Sequence, residues 1–445
     1  MRVVEPLRFT TVAEREKALE EAHFNLYSLR AEDVLIDLLT DSGTCAISRE
    51  QMAAMMRGDE SYAGSASFYR MESAVRDLFG FEHVIPVHQG RAAERLLFQV
   101  MTTPGQLLPS NTLFDTTRAN ALDYGVEAAD LPVPEFLDFS SLDRFKGNID
   151  CEALEALLRG PEAKRIPFVL VNITNNICAD QPVSLENLRE TSRIAHQYGR
   201  PLYLDACRFA QNAWLIQQYE AAEAGRSVRS IVKEIFDLAD GCYISAKKDA
   251  MGQIGGFLAV REASVAQKLK ERMLLAEGFV TYGGMTGRDM EAVAVGLYEG
   301  IGEEHLRCRV ERTAYLHEQL RLAGVPVISP PGGHAVYLPA AKILPHLAAN
   351  ENPGHALAVE LYREGGVRGT KIALTLANGE HVEMLRLAIP GRVYSTSHLD
   401  YAADCMRGVM LRAEQIQGFA TVCAPPLLGG FMAQYRQLQE AACTV

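Results

Sequence analysis

Cys242-Tyr243-Ile244-Ser245-Ala246-Lys247-Lys248-Asp249 is a short apolar run that ends on two lysines, and Gly252-Gln253-Ile254-Gly255-Gly256 follows almost at once. The run reads as a buried strand and the lysines as its strand-to-loop edge. An amine at such an edge loses its proton more readily, through burial or a neighbouring cation. Lys247 supplies that cation for Lys248. A lowered pKa is what an imine-forming amine requires. Taken alone, two adjacent lysines are more often a solvated surface pair.

Upstream, Leu202-Tyr203-Leu204-Asp205-Ala206-Cys207-Arg208 places an acid at the end of an apolar run and a base three residues later. Ligands of open α/β sheets bind outside the carboxyl ends of strands. A carboxylate there can pair with a pyridinium nitrogen and keep the ring an electron sink, with Arg208 facing a phenolic oxygen. The same two residues could equally form a structural ion pair. Further upstream, Val87-His88-Gln89-Gly90-Arg91 turns from a strand into a helix. Gly90 allows close backbone approach, the helix start offers free N–H groups to a phosphate, and Arg91 adds charge. An ordinary β-to-α turn would need no arginine. Phosphate turn, Asp and Lys, in that order, meet the needs of pyridoxal phosphate, and the order is that of the aspartate-aminotransferase-like fold (fold type I).

Short β-branched runs alternate with amphipathic stretches, as in His83–Val87, 168–173, Leu202–Leu204, Cys242–Ile244 and Phe257–Val260. This predicts an α/β protein with a mainly parallel sheet. A helix is predicted over Ser184 to Tyr198, capped by Ser184. Residues 288–322 read as mostly helical and as a bridge between domains, after which Val325-Pro326-Val327-Ile328 opens a second region. The division expected is an N-terminal arm over 1–45, a large cofactor domain over 46–305 and a smaller C-terminal α/β domain over 306–445. A chain of 445 residues is long for one core, and 48% hydrophobic with 22% charged residues is ordinary for a soluble protein. A net charge of −12 without basic runs argues against nucleic acid and anionic membrane as partners. Nine scattered cysteines, without a CxxC pair, suit free thiols in a reducing cytoplasm. No signal peptide or membrane span is expected.

The sequence resembles the β-eliminating lyases, the family of tryptophanase and tyrosine phenol-lyase. The resemblance spans nearly the whole chain. It is dense at 37–44, 58–65, 88–91, 245–249, 282–284, 287–291, 332–336 and Arg386-Leu387. It implies that Lys248 is the Schiff-base lysine with Lys247 beside it, that Asp205 holds the pyridinium, and that Arg208 and Asn176 lie on the ring's oxygen side. Gln89, Gly90, Arg91 and Ser245 would hold the phosphate. Phe114 would stack on the ring, a role that its sequence context alone, which reads as core, does not reveal. Arg386 would clamp the substrate carboxylate, and Tyr62 would protonate the leaving group. The resemblance further implies a monovalent cation, typically potassium, at Glu60 and the carbonyls of Gly43 and Gln253, and a homotetramer with sites shared between subunits.

The implied reaction is β-elimination from an amino acid, giving pyruvate, ammonia and the leaving group. Asp115 after Phe114, and Ile372 where an arginine would read a phenol, match tryptophanase. Gly430 stands where tryptophanases carry a histidine facing the indole, and 424–430 is unlike either enzyme. A C–S β-lyase, a tyrosine phenol-lyase or a retro-aldolase therefore stays open beside a tryptophan indole-lyase. A retro-aldolase has no use for an acid such as Tyr62 aimed at an aryl group, and a non-catalytic binding protein would have no use for Lys248, Asp205, Arg386 and Tyr62 together.

Overall fold

The computed structural model describes residues 8–139, 141–375 and 381–439. Two compact units emerge, one over 42–310 and the other from residues up to 41 together with those from 311 onward.

The larger unit is built on seven strands: β1 His83–Val87, β2 Leu107–Ser110, β3 Glu127–Asp130, β4 Val169–Asn172, β5 Leu202–Asp205, β6 Gly241–Ser245 and β7 Gly256–Val260. They lie in the order β1-β7-β6-β5-β4-β2-β3. All neighbours are parallel except that β7 runs antiparallel to both β1 and β6. Strands β4 to β7 are buried at every position, as their unbroken apolar runs require of a sheet covered on both faces. Alternation sorts their side chains into two cores. Leu202, Leu204, Cys242 and Ile244 pack on one face. Tyr203 and Tyr243 pack on the other with Ala93, Leu96 and Leu97. Four helices of this unit matter below: α1 Gly90–Met101, α2 Asp115–Asp123, α3 Phe209–Tyr219 and α4 Gly287–Gly300. The helix predicted from Ser184 runs Leu185–Gln197, and the Ser184 hydroxyl accepts from Asn187 N at 3.0 Å.

In the smaller unit β8 Ala335–Pro339, β9 Thr370–Thr375 and β10 His381–Ala388 form an antiparallel sheet in the order β9-β10-β8. Helix Pro353–Gly365 is buried over most of its length. The segment expected as an arm packs here. Ile36–Asp37 pairs in parallel with Val367–Arg368, and Leu19, Leu26, Leu29 and Leu38 enter the same core as Val336, Leu357 and Leu387. The helical stretch 288–322 is two helices, α4 and Glu303–Leu322. Val325–Ile328 is irregular rather than a strand. Pro326 has no N–H to give to a ladder, and Ile328 N donates to Tyr337 O at 2.9 Å.

Candidate active site

The carboxyl ends of the parallel strands carry the polar residues picked out from the sequence. Asp205 ends β5, in register with Asn172 at the end of β4, and is 5% exposed. Ser245 ends β6. Gln89 is the N-cap of α1, in extended backbone and without a side-chain cap bond, and its carbonyl accepts from Ala92 N at 3.1 Å and from Ala93 N at 3.4 Å. A methyl on Gly90 would come within 2.9 Å of Ser245 Cβ, and one on Gly256 within 3.0 Å of the Gln89 carbonyl carbon. Helix start, Ser245 and the head of β7 thus close a backbone cradle that only glycine permits.

Lys248 lies on the loop after β6, its Nζ 5.6 Å from the centroid of the Phe114 ring. Phe114 is the N-cap of α2 and Asp115 its first residue. Burial lowers the Lys247 pKa, and Arg91 and Lys248 add like charge, so all three cations share one neighbourhood. Arg208 caps α3 and is buried, as is Asn176.

Glu94, which the sequence reading passed over, is buried behind this group. It accepts from Thr116 Oγ1 and from Asn120 Nδ2, each at 3.2 Å. Burial, and next the Asp205 carboxylate, push its carboxyl up to about 7. The signal was present: Glu94 falls on the buried stripe Gly90, Ala93, Leu97 of an amphipathic helix.

Tyr62 is 71% exposed, and its ring lies 5.5 Å from Phe279 and 5.4 Å from Tyr282. Its loop is anchored by Asp59, which accepts from Ser65 Oγ, Ala66 N and Ser67 N. The Ser65 and Ser67 hydrogen bonds hold that carboxyl well below the usual range. A methyl on Gly43 would meet Gln253 O at 2.8 Å, so these two backbones lie together. Glu60 pairs with Arg288 at 3.3 Å and accepts from Gly287 N at 3.4 Å. Among the described residues no group of three or more His, Cys, Asp or Glu side chains is placed to hold a metal. Arg386 and Ile372 belong to the smaller unit. Arg386, on β10, is buried and donates from Nη2 to Leu39 O at 3.0 Å, and Ile372 is buried on β9. Gly430 sits in the Gly429–Phe431 turn, where an added methyl would meet nothing within 4 Å.

Solved structures with this fold include a Sphingomonas wittichii serine palmitoyltransferase, with a TM-score of 0.60 at 14% identity over 91% of this chain and 97% of that one. The fold is that of the fold-type-I pyridoxal-phosphate enzymes. Residues 37–405 match the family described as Beta-eliminating lyase. A tryptophanase of Hyphomonas neptunium is 48% identical over 98% of this chain and 97% of its own length. A tyrosine phenol-lyase of Symbiobacterium thermophilum is 42% identical over 98% of each. The chain belongs to the β-eliminating lyase family. Its reaction is a pyridoxal-phosphate-dependent β-elimination.

The residues present fit that cofactor. The glycine cradle at Gln89, Gly90 and Ser245 suits a phosphate, the Asp205 carboxylate a ring nitrogen, the Phe114 face a planar ring and the Lys248 amine an aldehyde.

Proposed function

We propose that the chain eliminates an indole-like or other bulky aromatic group from an amino acid, in the manner of a tryptophan indole-lyase. The observation that carries this reading is Asp115, the first residue of α2, directly after the Phe114 ring that Lys248 faces. Gln89, Gly90, Arg91 and Ser245 hold the phosphate. Asn176 and Arg208 serve the ring's oxygen side, Asp205 its nitrogen, and Lys247 supports the cationic end of the site. Pyridoxal phosphate, when bound, supplies the electron sink for the α-carbon. Arg386 takes the substrate carboxylate, a task that a planar guanidinium performs with two parallel hydrogen bonds. The Lys248 amine would serve as the base that removes the α-proton. The Tyr62 hydroxyl gives a proton to the departing group.

A monovalent cation, typically potassium, at Glu60 with the Gly43 and Gln253 carbonyls belongs to the same proposal, since hard oxygen donors suit it. So do a homotetramer with shared sites and a cytoplasmic location. The exposed Tyr62 ring supports the former. No helix of the described residues is long and apolar enough to cross a membrane. A pyruvate-release screen over tryptophan, tyrosine, S-aryl and S-alkyl cysteines and serine tests the reading. Release from the bulky aromatic substrates is expected, and release from small S-alkyl cysteines alone would replace it with a C–S lyase.

A further inference from the structure

Asp249 follows Lys248 directly and is almost wholly buried. Its Oδ2 accepts from Ala210 N at 2.8 Å and from Gln211 N at 3.0 Å, and its Oδ1 accepts from Gln211 Nε2. These are first-turn groups of α3, whose own N-cap residue, Arg208, makes no side-chain cap bond. The carboxylate thus caps a helix from a different segment of the chain, where negative charge suits the helix N-terminus. Burial raises the Asp249 pKa, while Arg309, the Gln211 hydrogen bonds and Arg208 favour the charged form.

The same seam is stitched elsewhere. Ala206 N donates to Tyr243 O at 3.1 Å, Ser245 N to Cys207 Sγ at 3.2 Å and Asp249 N to Cys207 O at 3.5 Å. On the other side the loop rests against α4. A methyl on Gly300 would come within 2.1 Å of Asp249 O, and one on Gly296 within 1.8 Å of Ala250 O. Segment 205–211 starts with the ring-nitrogen acid, and segment 245–249 contains the cofactor lysine. Cys207 Sγ holds the start of the second segment, and the Asp249 carboxylate fastens its far end, next to Lys248, to the first turn of α3.

We propose that Asp249 is a positioning residue whose carboxylate locks the Lys248 loop to the first turn of α3 and so fixes the Lys248 amine relative to Asp205. The inference rests on the reading of Lys248 as the lysine that binds the cofactor. Lysine has many rotamers, and a small misplacement of a reacting amine is costly in rate. Without the cap, the backbone just after Lys248 loses the three hydrogen bonds that the Asp249 carboxylate makes to α3, and the 3.5 Å bond from Asp249 N to Cys207 O remains at that residue.

The test compares Asp249→Ala and the near-isosteric Asp249→Asn with Asp150→Ala. Asp150 caps helix Cys151–Arg159 through Ala153 N at 2.9 Å, so its loss is an ordinary cap loss. In the holoenzyme one would measure the dissociation constant for pyridoxal phosphate, the visible circular dichroism of the bound cofactor, kcat and KM, and thermal stability. Asp249→Ala is expected to weaken cofactor binding at least tenfold, to diminish the visible dichroism and to lower kcat more than it alters KM. Asp249→Asn, which keeps an acceptor in place, should fall between it and the wild type. Asp150→Ala should lose stability while keeping both cofactor readouts. Where Asp249→Ala does not fold, Asp249→Asn decides: wild-type dichroism and cofactor affinity in that variant overturn the proposal. Borohydride reduction with peptide mapping of the wild type separates the two failures. A label away from Lys248 overturns the underlying reading and this one together. A label on Lys248, with cofactor readouts unmoved in the Asp249 variants, overturns this one alone.

Discussion

The Lys248 amine lies 5.6 Å from the centroid of the Phe114 ring, although the two residues are 134 positions apart in the chain. A planar cofactor stacked on that ring would have its aldehyde within reach of Lys248. We therefore predict that borohydride reduction of the holoenzyme leaves the pyridoxyl mass on Lys248 and not on Lys247. Lys247 lies instead near the Gly43 turn, its Cε 2.6 Å from where a methyl on that glycine would stand. A pyridoxyl group on Lys247 would break the assignment.

Asp205 closes β5 and is almost inaccessible, so its charge acts in a medium that screens it poorly. Asp205→Asn should keep the fold and lose at least a hundredfold in kcat, about 2.7 kcal/mol of barrier. A neutral amide cannot hold a ring nitrogen protonated. Near-normal turnover in the variant would remove the role.

Glu94 gives a pH test. Its folded pKa, pushed up to about 7, exceeds the ordinary unfolded value near 4.3. The folded state therefore holds its proton longer. The contribution is fully present below the unfolded pKa and is lost as pH rises through about 7. Glu94→Gln lacks this term. Between pH 5 and pH 8 the stability difference should move in favour of the variant by roughly 2 kcal/mol. Denaturant unfolding at the two pH values measures it, and an unchanged difference would show that Glu94 titrates normally.

The cation reading comes from the family resemblance at Glu60, Gly43 and Gln253; Gly43 does approach Gln253 O, while the Glu60 carboxylate pairs with Arg288. Activity should be several-fold higher in potassium than in sodium, and Glu60→Gln should blunt the response. Equal rates in the two salts would dismiss it.

Physical reasons separate what was legible in the sequence from what was not. Strands β4 to β7 are buried runs of apolar residues, and the chemistry sits where those runs end, at Asp205 and Ser245. Strand β2 contains Pro109 and edge strand β3 is Glu-Ala-Ala-Asp, so neither shows a strand signal. Phe114 was visible only through resemblance, because stacking depends on a neighbour far along the chain. Nothing in the sequence marked the contacts of Tyr62 with Phe279 and Tyr282 or the cap that Asp249 places on α3, since each depends on partners distant in the chain. Residues 8–41 looked like an arm because their leucines have no partner nearby in sequence, and their partners lie beyond residue 311.

The leaving group is the last prediction. Ile372 is buried on β9 and carries no donor for a phenol. A site that lacks a charged donor forgoes a hydrogen bond worth roughly 1.5–3 kcal/mol to tyrosine. Sites built to bind a hydroxyl reject analogues without it, and sites built without the donor gain little from its presence. Tyrosine should therefore be a poor substrate. Gly430 stands where the family resemblance implies a histidine facing the indole, so tryptophan would lose that polar partner here. We predict that tryptophan turns over slowly, that a larger or modified aromatic side chain is handled better, and that Gly430→His raises kcat/KM for tryptophan several-fold without helping tyrosine. The measurement is kcat/KM for tryptophan, tyrosine and S-aryl cysteines in both proteins. Tyrosine as the best substrate would show that Asp115 and Ile372 have been misread. A Gly430→His variant that gains nothing on tryptophan would show that the turn at 429–431 does not face the side chain.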